Sequence, residues 1–200
     1  MAKASLEQIQ QLREQTSMGM MDCKKAIEEA GGNMEKAVEL LRKKGAKIAA
    51  KRGDNATSAG LVYSYIHPGS TVGVLVELNC ETDFVARNDE LKNFAAGLSM
   101  HIAAMSPSFL SPEEVDTEFL EKEKQFLKEE LITKGTKAEL IDKILTGKLE
   151  KLYSNVCLLQ QKYVKDETGK LTIDDALKNI IGKVGENIKI RRFARFQIGS

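Results

Sequence analysis

Few residues in this chain carry the side-chain chemistry that catalysis or metal binding needs. The 200 residues include only two histidines, His67 and His101, and three cysteines, Cys23, Cys80 and Cys157. Lone histidines are usually surface or core residues, because a general acid or base needs positioned partners. Cys23 and Cys157 have no second cysteine or histidine at metal-ligand spacing. We therefore predict that the protein is not an enzyme and has no catalytic residue, no metal site and no cofactor.

The three thiols also indicate in which cellular compartment the protein occurs. An odd, scattered set of cysteines argues against a disulfide framework and favours a reducing environment. Cys23 precedes Lys24 and Lys25 at a predicted helix start, so it is either a thiol of lowered pKa or a packed core residue. No apolar run approaches the roughly 20 residues that span a bilayer, and no secretion signal is visible. We expect a cytoplasmic protein.

A different kind of chemistry is indicated where a strand turns into a helix. Residues 71–80 alternate as a half-buried strand does, and helical spacing begins near residue 88. Between them stand Asp83 and Phe84, an acid followed directly by a large aromatic. Such a pair at a corner can offer a partner protein an anchor and a charge. Alternatively, Asp83 only favours the start of the helix and Phe84 folds into the core.

The elements around this corner predict an α+β fold. The segment 61–66 and the strand 71–80 flank His67-Pro68-Gly69-Ser70, a strong hairpin signal. Residues 188–198 alternate imperfectly and would complete a small antiparallel sheet of about three strands. Helices near 89–105 and 172–181 would cover it. Ser111-Pro112-Glu113-Glu114 predicts the start of a long charged helical hairpin, with Gly147 ending one of its helices.

The first 52 residues predict a separate helical module. Ser5 and Gln8 fit a capping box, Gly31-Gly32 fits a helix stop, and Asn33 fits the next N-cap. Three short helices ending near Gly45 resemble a ubiquitin-associated-type bundle. Residues 43–52 carry five basic residues and no acid, which indicates a solvated linker or a surface that steers an acidic partner. The predicted domains are 1–52, the helical module with its basic linker, and 53–200, an α+β core of the dimerisation type.

Two longer motifs resemble the elongation factor Ts family. The first is the stretch Leu12–Ala26, and the second, about sixty residues later, is Glu77–Arg87. Gly185–Ile188, followed by Ile190-Arg191-Arg192, is similar to a further family segment. Ser17 stands where the family pattern has Gly, and the chain is shorter than the many members with a duplicated core half.

The resemblance implies a guanine-nucleotide exchange factor for elongation factor Tu, which it would bind in the GDP-bound and nucleotide-free forms. In the family, the segment Thr82, Asp83, Phe84 and Val85 dislodges the partner's Mg²⁺, and Arg13, Met20 and Met21 match the N-terminal motif that grips the same GTPase domain. We expect at least Met20 or Met21 to be exposed. The missing duplicate half implies a homodimer, with no direct contact to nucleic acid or membrane.

Two binding functions without exchange activity are alternatives. The basic segment 43–52, together with Arg191, Arg192 and Arg195 near Phe193 and Phe196, would suit an RNA- or ribosome-binding module. Against this, the net charge is only +1 and aromatic residues make up 6% of the chain. Met18-Gly19-Met20 superficially resembles the loop of a ubiquitin-binding module.

Overall fold

A computed structural model describes residues 3–16 and 18–199. Ser17, the departure from the family pattern, lies outside the described residues. By its internal contacts the chain divides into two compact units. One comprises residues 1–100 and 174–200, and the other residues 101–173. The predicted boundary between residues 52 and 53 remains a prediction.

Three helices open the first unit, as predicted: α1 (Leu6–Thr16), α2 (Met20–Glu29) and α3 (Met34–Arg52). The capping box forms, because the Ser5 N–H donates to Gln8 Oε1 and the Gln8 N–H donates to Ser5 Oγ, both at 3.1 Å. Asn33 caps α3 by accepting from the Lys36 N–H at 3.0 Å. A shared core fills the bundle, made of Ile9, Leu12, Met18, Cys23, Ala26, Ile27, Ala37 and Leu41.

The predicted end of the third helix near Gly45 is wrong, and so is the linker interpretation of residues 43–52. These residues form the second half of α3. Gly45 lies inside the helix, where it packs directly on α8 (Ile173–Val184). A Cβ at position 45 would lie 3.0 Å from the Lys178 carbonyl oxygen, and one at Gly182 would lie 2.9 Å from the Gly45 Cα. Gly45 is therefore a close-packing residue and not a helix stop.

A three-stranded antiparallel sheet confirms the predicted α+β fold. Its strands are β1 (Ala59–Ile66), β2 (Val72–Cys80) and β3 (Ile188–Gln197), in the order β1-β2-β3. One face is buried along β2, at Val74, Val76, Leu78 and Cys80. A shift in the β2–β3 register falls between Glu77 and Leu78, so that Leu78 pairs with Ile190 and Cys80 with Ile188. The short α4 (Asp83–Arg87) follows β2 directly, and α5 (Asp89–Met105) follows α4.

The second unit contains the helical hairpin of α6 (Thr117–Thr133) and α7 (Ala138–Val156). Its predicted start was misplaced. Pro112–Glu114 form only a 3₁₀ turn, and Asp116 caps α6 by accepting from the Glu118 and Phe119 N–H groups. Gly147 does not end a helix, because α7 continues through it to Val156. A second 3₁₀ turn, Leu158–Gln160, follows.

Candidate partner-binding site

The strand-to-helix corner after β2 presents an aromatic ring to solvent. Thr82 is the N-cap of α4, with its Oγ1 accepting from the Val85 N–H at 3.4 Å. Val85 faces inward and is buried. Phe84, one position earlier, is 84% exposed. The alternative in which Phe84 folds back into the core is therefore wrong.

Asp83 lies beside that ring at the first position of α4. Its Oδ2 accepts from Arg87 Nη2 at 2.6 Å, one helical turn away, and both side chains are largely exposed. The negative charge suits the positive end of the helix, although the capping residue is Thr82. Because the pair is solvated, it adds little to stability, and the carboxylate is accessible to a partner.

Behind the corner, two glutamates bind the backbone across the end of the β2–β3 ladder. Glu81 Oε1 accepts from the Asn187 N–H at 2.6 Å. In the opposite direction, Glu186 accepts from the Thr82 N–H at 3.1 Å and from Thr82 Oγ1 at 2.7 Å. The Asn187 N–H is the largest of the contacts that lower the pKa of Glu81 below its ordinary value, since it stabilises the carboxylate. Glu81 therefore stays ionised at neutral pH.

The end of α3 joins the same network. Arg52 Nη1 donates to both carboxylate oxygens of Glu81, at 2.9 and 3.0 Å, and Asn55 Nδ2 donates at 3.0 Å. Asn187 Nδ2 donates in turn to the carbonyl oxygens of Gly53 and Asn55. Glu186 and Asn187 were not among the predicted site residues. The segment Gly185–Ile188 was the only signal, and nothing in its sequence indicated contact with Thr82.

The N-terminal candidates occupy the end of α1 and the start of α2. Met18 is buried in the bundle, whereas Met20 is 45% and Met21 64% exposed. Arg13 is also exposed. The structure places the three candidates on neighbouring helices of one bundle. Among the described residues, no hydrogen bond or ion pair joins them to Thr82–Val85.

The residues that sequence alone offered for catalysis are engaged structurally. His67 pairs with Tyr65 Oη at 3.0 Å on the surface. His101 is fully buried, and burial lowers its pKa. All three cysteines are free and buried, and burial raises the pKa of each, that of Cys157 to about 11. Cys23 is thus a packed core thiol of the N-terminal bundle, and not one of lowered pKa.

No group of three or more His, Cys, Asp or Glu side chains in residues 3–16 and 18–199 is arranged to hold a metal ion. In the same residues, no helix combines the length and apolar character that crossing a membrane requires.

Comparison with known proteins identifies the family. The family model for elongation factor Ts matches residues 2–172. The chain is 50% identical over 195 residues to elongation factor Ts of Fervidobacterium nodosum, covering 98% of each chain. It is 48% identical over 193 residues to that of Carboxydothermus hydrogenoformans, covering 96% of this chain and 88% of the relative. With that of Thermotoga petrophila it shares 47% identity over 195 residues, covering 98% and 96%. The exposed aromatic corner and the N-terminal bundle therefore belong to a translation elongation factor of the elongation factor Ts family.

Proposed function

We propose that this protein is a guanine-nucleotide exchange factor for elongation factor Tu. The observation that carries the proposal is the exposed Phe84 on a firmly anchored corner, in a chain of this family. The protein makes and breaks no covalent bond, so it is not an enzyme in the usual sense. It acts in the cytoplasm, where its partner carries aminoacyl-tRNA to the ribosome.

Exchange rests on thermodynamic linkage between two ligands of the partner. Suppose that the protein binds nucleotide-free Tu more tightly than GDP-bound Tu. Then GDP and the protein each lower the affinity of Tu for the other, and by the same ratio. GDP then leaves faster, and abundant GTP displaces the factor in turn. The equilibrium between the two nucleotides is unchanged, because the factor is released unaltered.

Phe84 supplies the differential binding energy. Its ring would insert between helices of the partner's GTPase domain and shift the elements that hold Mg²⁺ and GDP. Burying a phenyl ring that is otherwise solvated contributes about 1.5–3 kcal/mol. If that energy is available only in the distorted partner, it shifts the population toward the distorted form by roughly 10- to 150-fold. Asp83 reinforces the distortion near the Mg²⁺ site, with Thr82 and Val85 supporting the corner.

The N-terminal bundle holds the partner while the corner acts on it. Met20 and Met21 are exposed at the start of α2, and the thioether side chain adapts to irregular apolar surfaces. Arg13 adds a positive charge on the adjoining helix. Binding through a second surface raises affinity for every nucleotide state of the partner, whereas Phe84 distinguishes between those states.

The decisive experiment is stopped-flow release of fluorescent GDP from purified elongation factor Tu. Addition of the protein should accelerate release with a saturable dependence on its concentration. Release at the spontaneous rate, with binding to Tu demonstrated separately, would contradict exchange activity while leaving a binding function.

RNA binding is the competing function, and one observation favours it. Lys43, Lys47 and Lys51 repeat every four residues on exposed positions of α3. Within the described part of the chain none of the three forms an ion pair, whereas Lys44 pairs with Asp22. Binding of ribosomal or transfer RNA that weakens steeply with salt, and is lost when these three lysines become glutamine, would support this alternative.

We also propose a homodimer formed through the outer face of the sheet. On that face Leu75 lies opposite Ser64 and Ala194, and Gly73 lies opposite Ile66 and Phe196. Ile66, Leu75 and Phe196 are all exposed. Exposed apolar side chains grouped on one face are a feature of protein–protein interaction sites. A second copy would cover this face, and would restore the core half that short family members lack.

A further inference from the structure

The corner that carries Phe84 is fixed by side chains that come from a distant part of the sequence. The β2–β3 ladder ends with the pair Cys80 and Ile188. Beyond that pair a glutamate on each side binds a backbone N–H across from it. Glu81, directly after Cys80, accepts from the Asn187 N–H, and Glu186, two positions before Ile188, accepts from the Thr82 N–H. The two contacts extend the ladder by one reciprocal step made of side chains.

Glu186 contacts the residue at which α4 begins. Thr82 is the N-cap of this five-residue helix. Its N–H and hydroxyl both donate to the Glu186 carboxylate, at 3.1 and 2.7 Å. So short a helix has little stability of its own, since its first hydrogen-bonded turn is costly to form. The direction of α4, and with it that of Phe84, therefore depends on how firmly Thr82 is held.

The contact from Glu81 joins the corner to the N-terminal bundle. Arg52, the last residue of α3, donates to both oxygens of Glu81, and Asn55 donates to one of them. Hydrogen bonds between a charged guanidinium and a carboxylate are stronger than those between neutral groups. The helix that ends the bundle and the corner that carries the ring thus share one anchor.

We propose that Glu186 is a positioning residue for nucleotide exchange: it holds Thr82 so that α4 presents Phe84 in a single, ordered direction. This inference rests on the proposed exchange function, and it assigns a role to the Gly185–Ile188 segment. A corner ordered in advance does not lose conformational entropy when the ring inserts into a partner. A loose corner must be ordered during insertion, which slows the step that releases GDP.

The test compares full-length Glu186→Ala and Glu186→Gln with the wild type. Glutamine keeps the shape and one acceptor oxygen but loses the charge and the second acceptor. Glu150→Ala is the matched control, because Glu150 is an exposed glutamate of α7 whose side chain forms no ion pair within the described residues. Backbone order parameters for Phe84 and Ala86 are measured by NMR on the free protein. GDP release from Tu is measured over a range of factor concentrations.

The expected result is a loss of order at the corner and a slower release step. Order parameters of Phe84 and Ala86 should fall from a rigid value near 0.85 toward about 0.6 in Glu186→Ala, with Glu186→Gln between. The maximum rate of GDP release should fall about five- to thirtyfold, since one residue loses its fixed backbone. The half-saturating concentration should change less, because the N-terminal bundle still binds. Glu150→Ala should match the wild type in every measurement.

Two outcomes would overturn the inference. One is a Glu186→Ala corner as ordered as the wild type. The other is a maximum release rate equal to that of Glu150→Ala while Phe84→Ala, measured in parallel, slows release. If Phe84→Ala also leaves release unchanged, the exchange proposal fails, and the order parameters alone decide whether Glu186 holds the corner. Glu186→Gln serves as the deciding variant if the alanine variant does not fold.

Discussion

At the scale of single residues, two neighbouring residues of the corner have different surroundings. Val85 faces the interior and Phe84 faces solvent, although both are large apolar residues. An apolar ring that is 84% exposed contributes little hydrophobic stabilisation to the free protein. That stabilisation becomes available when a partner buries the ring, which is why an exposed aromatic on a firm support indicates a binding anchor.

Replacing Phe84 by alanine tests that role. Because the ring contributes little to the protein's own core, Phe84→Ala should unfold at the wild-type temperature. The maximum acceleration of GDP release from Tu should fall by roughly 10- to 150-fold, which is the value of one buried phenyl ring. Phe126→Ala is the control, since Phe126 is an exposed phenylalanine on α6, outside the corner. Equal release rates for the two variants would remove the proposed role of Phe84.

The buried histidine predicts how stability depends on pH. His101 Nε2 donates to Gln161 Oε1 at 2.9 Å, and Nδ1 accepts from the Val164 N–H at 3.3 Å, so both nitrogens are used by a neutral ring. Burial lowers the pKa of His101 below its ordinary value of 6.5. The unfolded chain therefore binds the proton more readily, and stability must fall as the pH drops through 6.5 toward the folded-state pKa.

Urea unfolding at pH 7.5 and pH 5.5 measures this dependence. The wild type should be less stable at pH 5.5, with a slope from His101 of at most about 1.4 kcal/mol per pH unit. His101→Gln should weaken the dependence, and His67→Gln should leave it unchanged, because His67 lies on the surface. An equal loss of stability in wild type and His101→Gln would contradict the assignment.

At the scale of elements, the contact between α3 and α8 depends on two glycines. Gly45 and Gly182 face each other so closely that a Cβ on either would meet backbone atoms at about 3 Å. Glycine weakens a helix by roughly 1 kcal/mol relative to alanine. Here that cost is offset by close packing between the helices, which also lets Met18 lie against Gly182.

Alanine substitutions at two helical glycines should therefore change the stability of the protein in opposite directions. Gly45→Ala should destabilise the protein by about 1–3 kcal/mol, because the added methyl forces the helices apart. Gly147→Ala, in α7, should stabilise it by up to about 1 kcal/mol, since a Cβ there meets nothing within 4 Å. Denaturant unfolding of the two variants beside the wild type checks both signs. A gain in stability from Gly45→Ala would mean that the two helices separate without cost.

At the scale of the whole molecule, the two faces of the sheet differ in what covers them. The inner face is buried within the unit, as Val74, Val76 and Leu78 show. The outer face carries exposed apolar side chains on all three strands. A half-covered antiparallel sheet ordinarily has a polar outer face. The exposed Ile66, Leu75 and Phe196 on this face are the basis of the proposed homodimer.

Analytical ultracentrifugation tests that proposal. The wild type should sediment as a dimer at micromolar concentration, and Phe196→Glu should shift it toward the monomer by burying an unpaired charge in the proposed interface. Val164→Glu is the control, because Val164 is also an exposed apolar residue but lies outside the sheet. A wild type that is monomeric at micromolar concentration would rule out the dimer.

The sequence by itself determined the features that depend on local chemistry. The hairpin turn at His67–Ser70, the capping box of Ser5 and Gln8, the strand periodicity and the α+β class all follow from neighbouring residues, and the structure confirms them. The two motifs also indicated the family, which the comparisons confirm. The roles of Phe84, Met20 and Met21 remain predictions.

Only the tertiary structure decided the features that depend on residues far apart in the chain. Gly45 has the local signature of a helix stop, but it lies within α3 and packs on α8, more than 130 positions later in the chain. Glu186 reaches Thr82 across 104 positions. Such contacts leave no local pattern, because a glycine or a glutamate has the same propensities whatever it eventually touches. The direction in which the corner presents its aromatic ring was therefore decided by the fold.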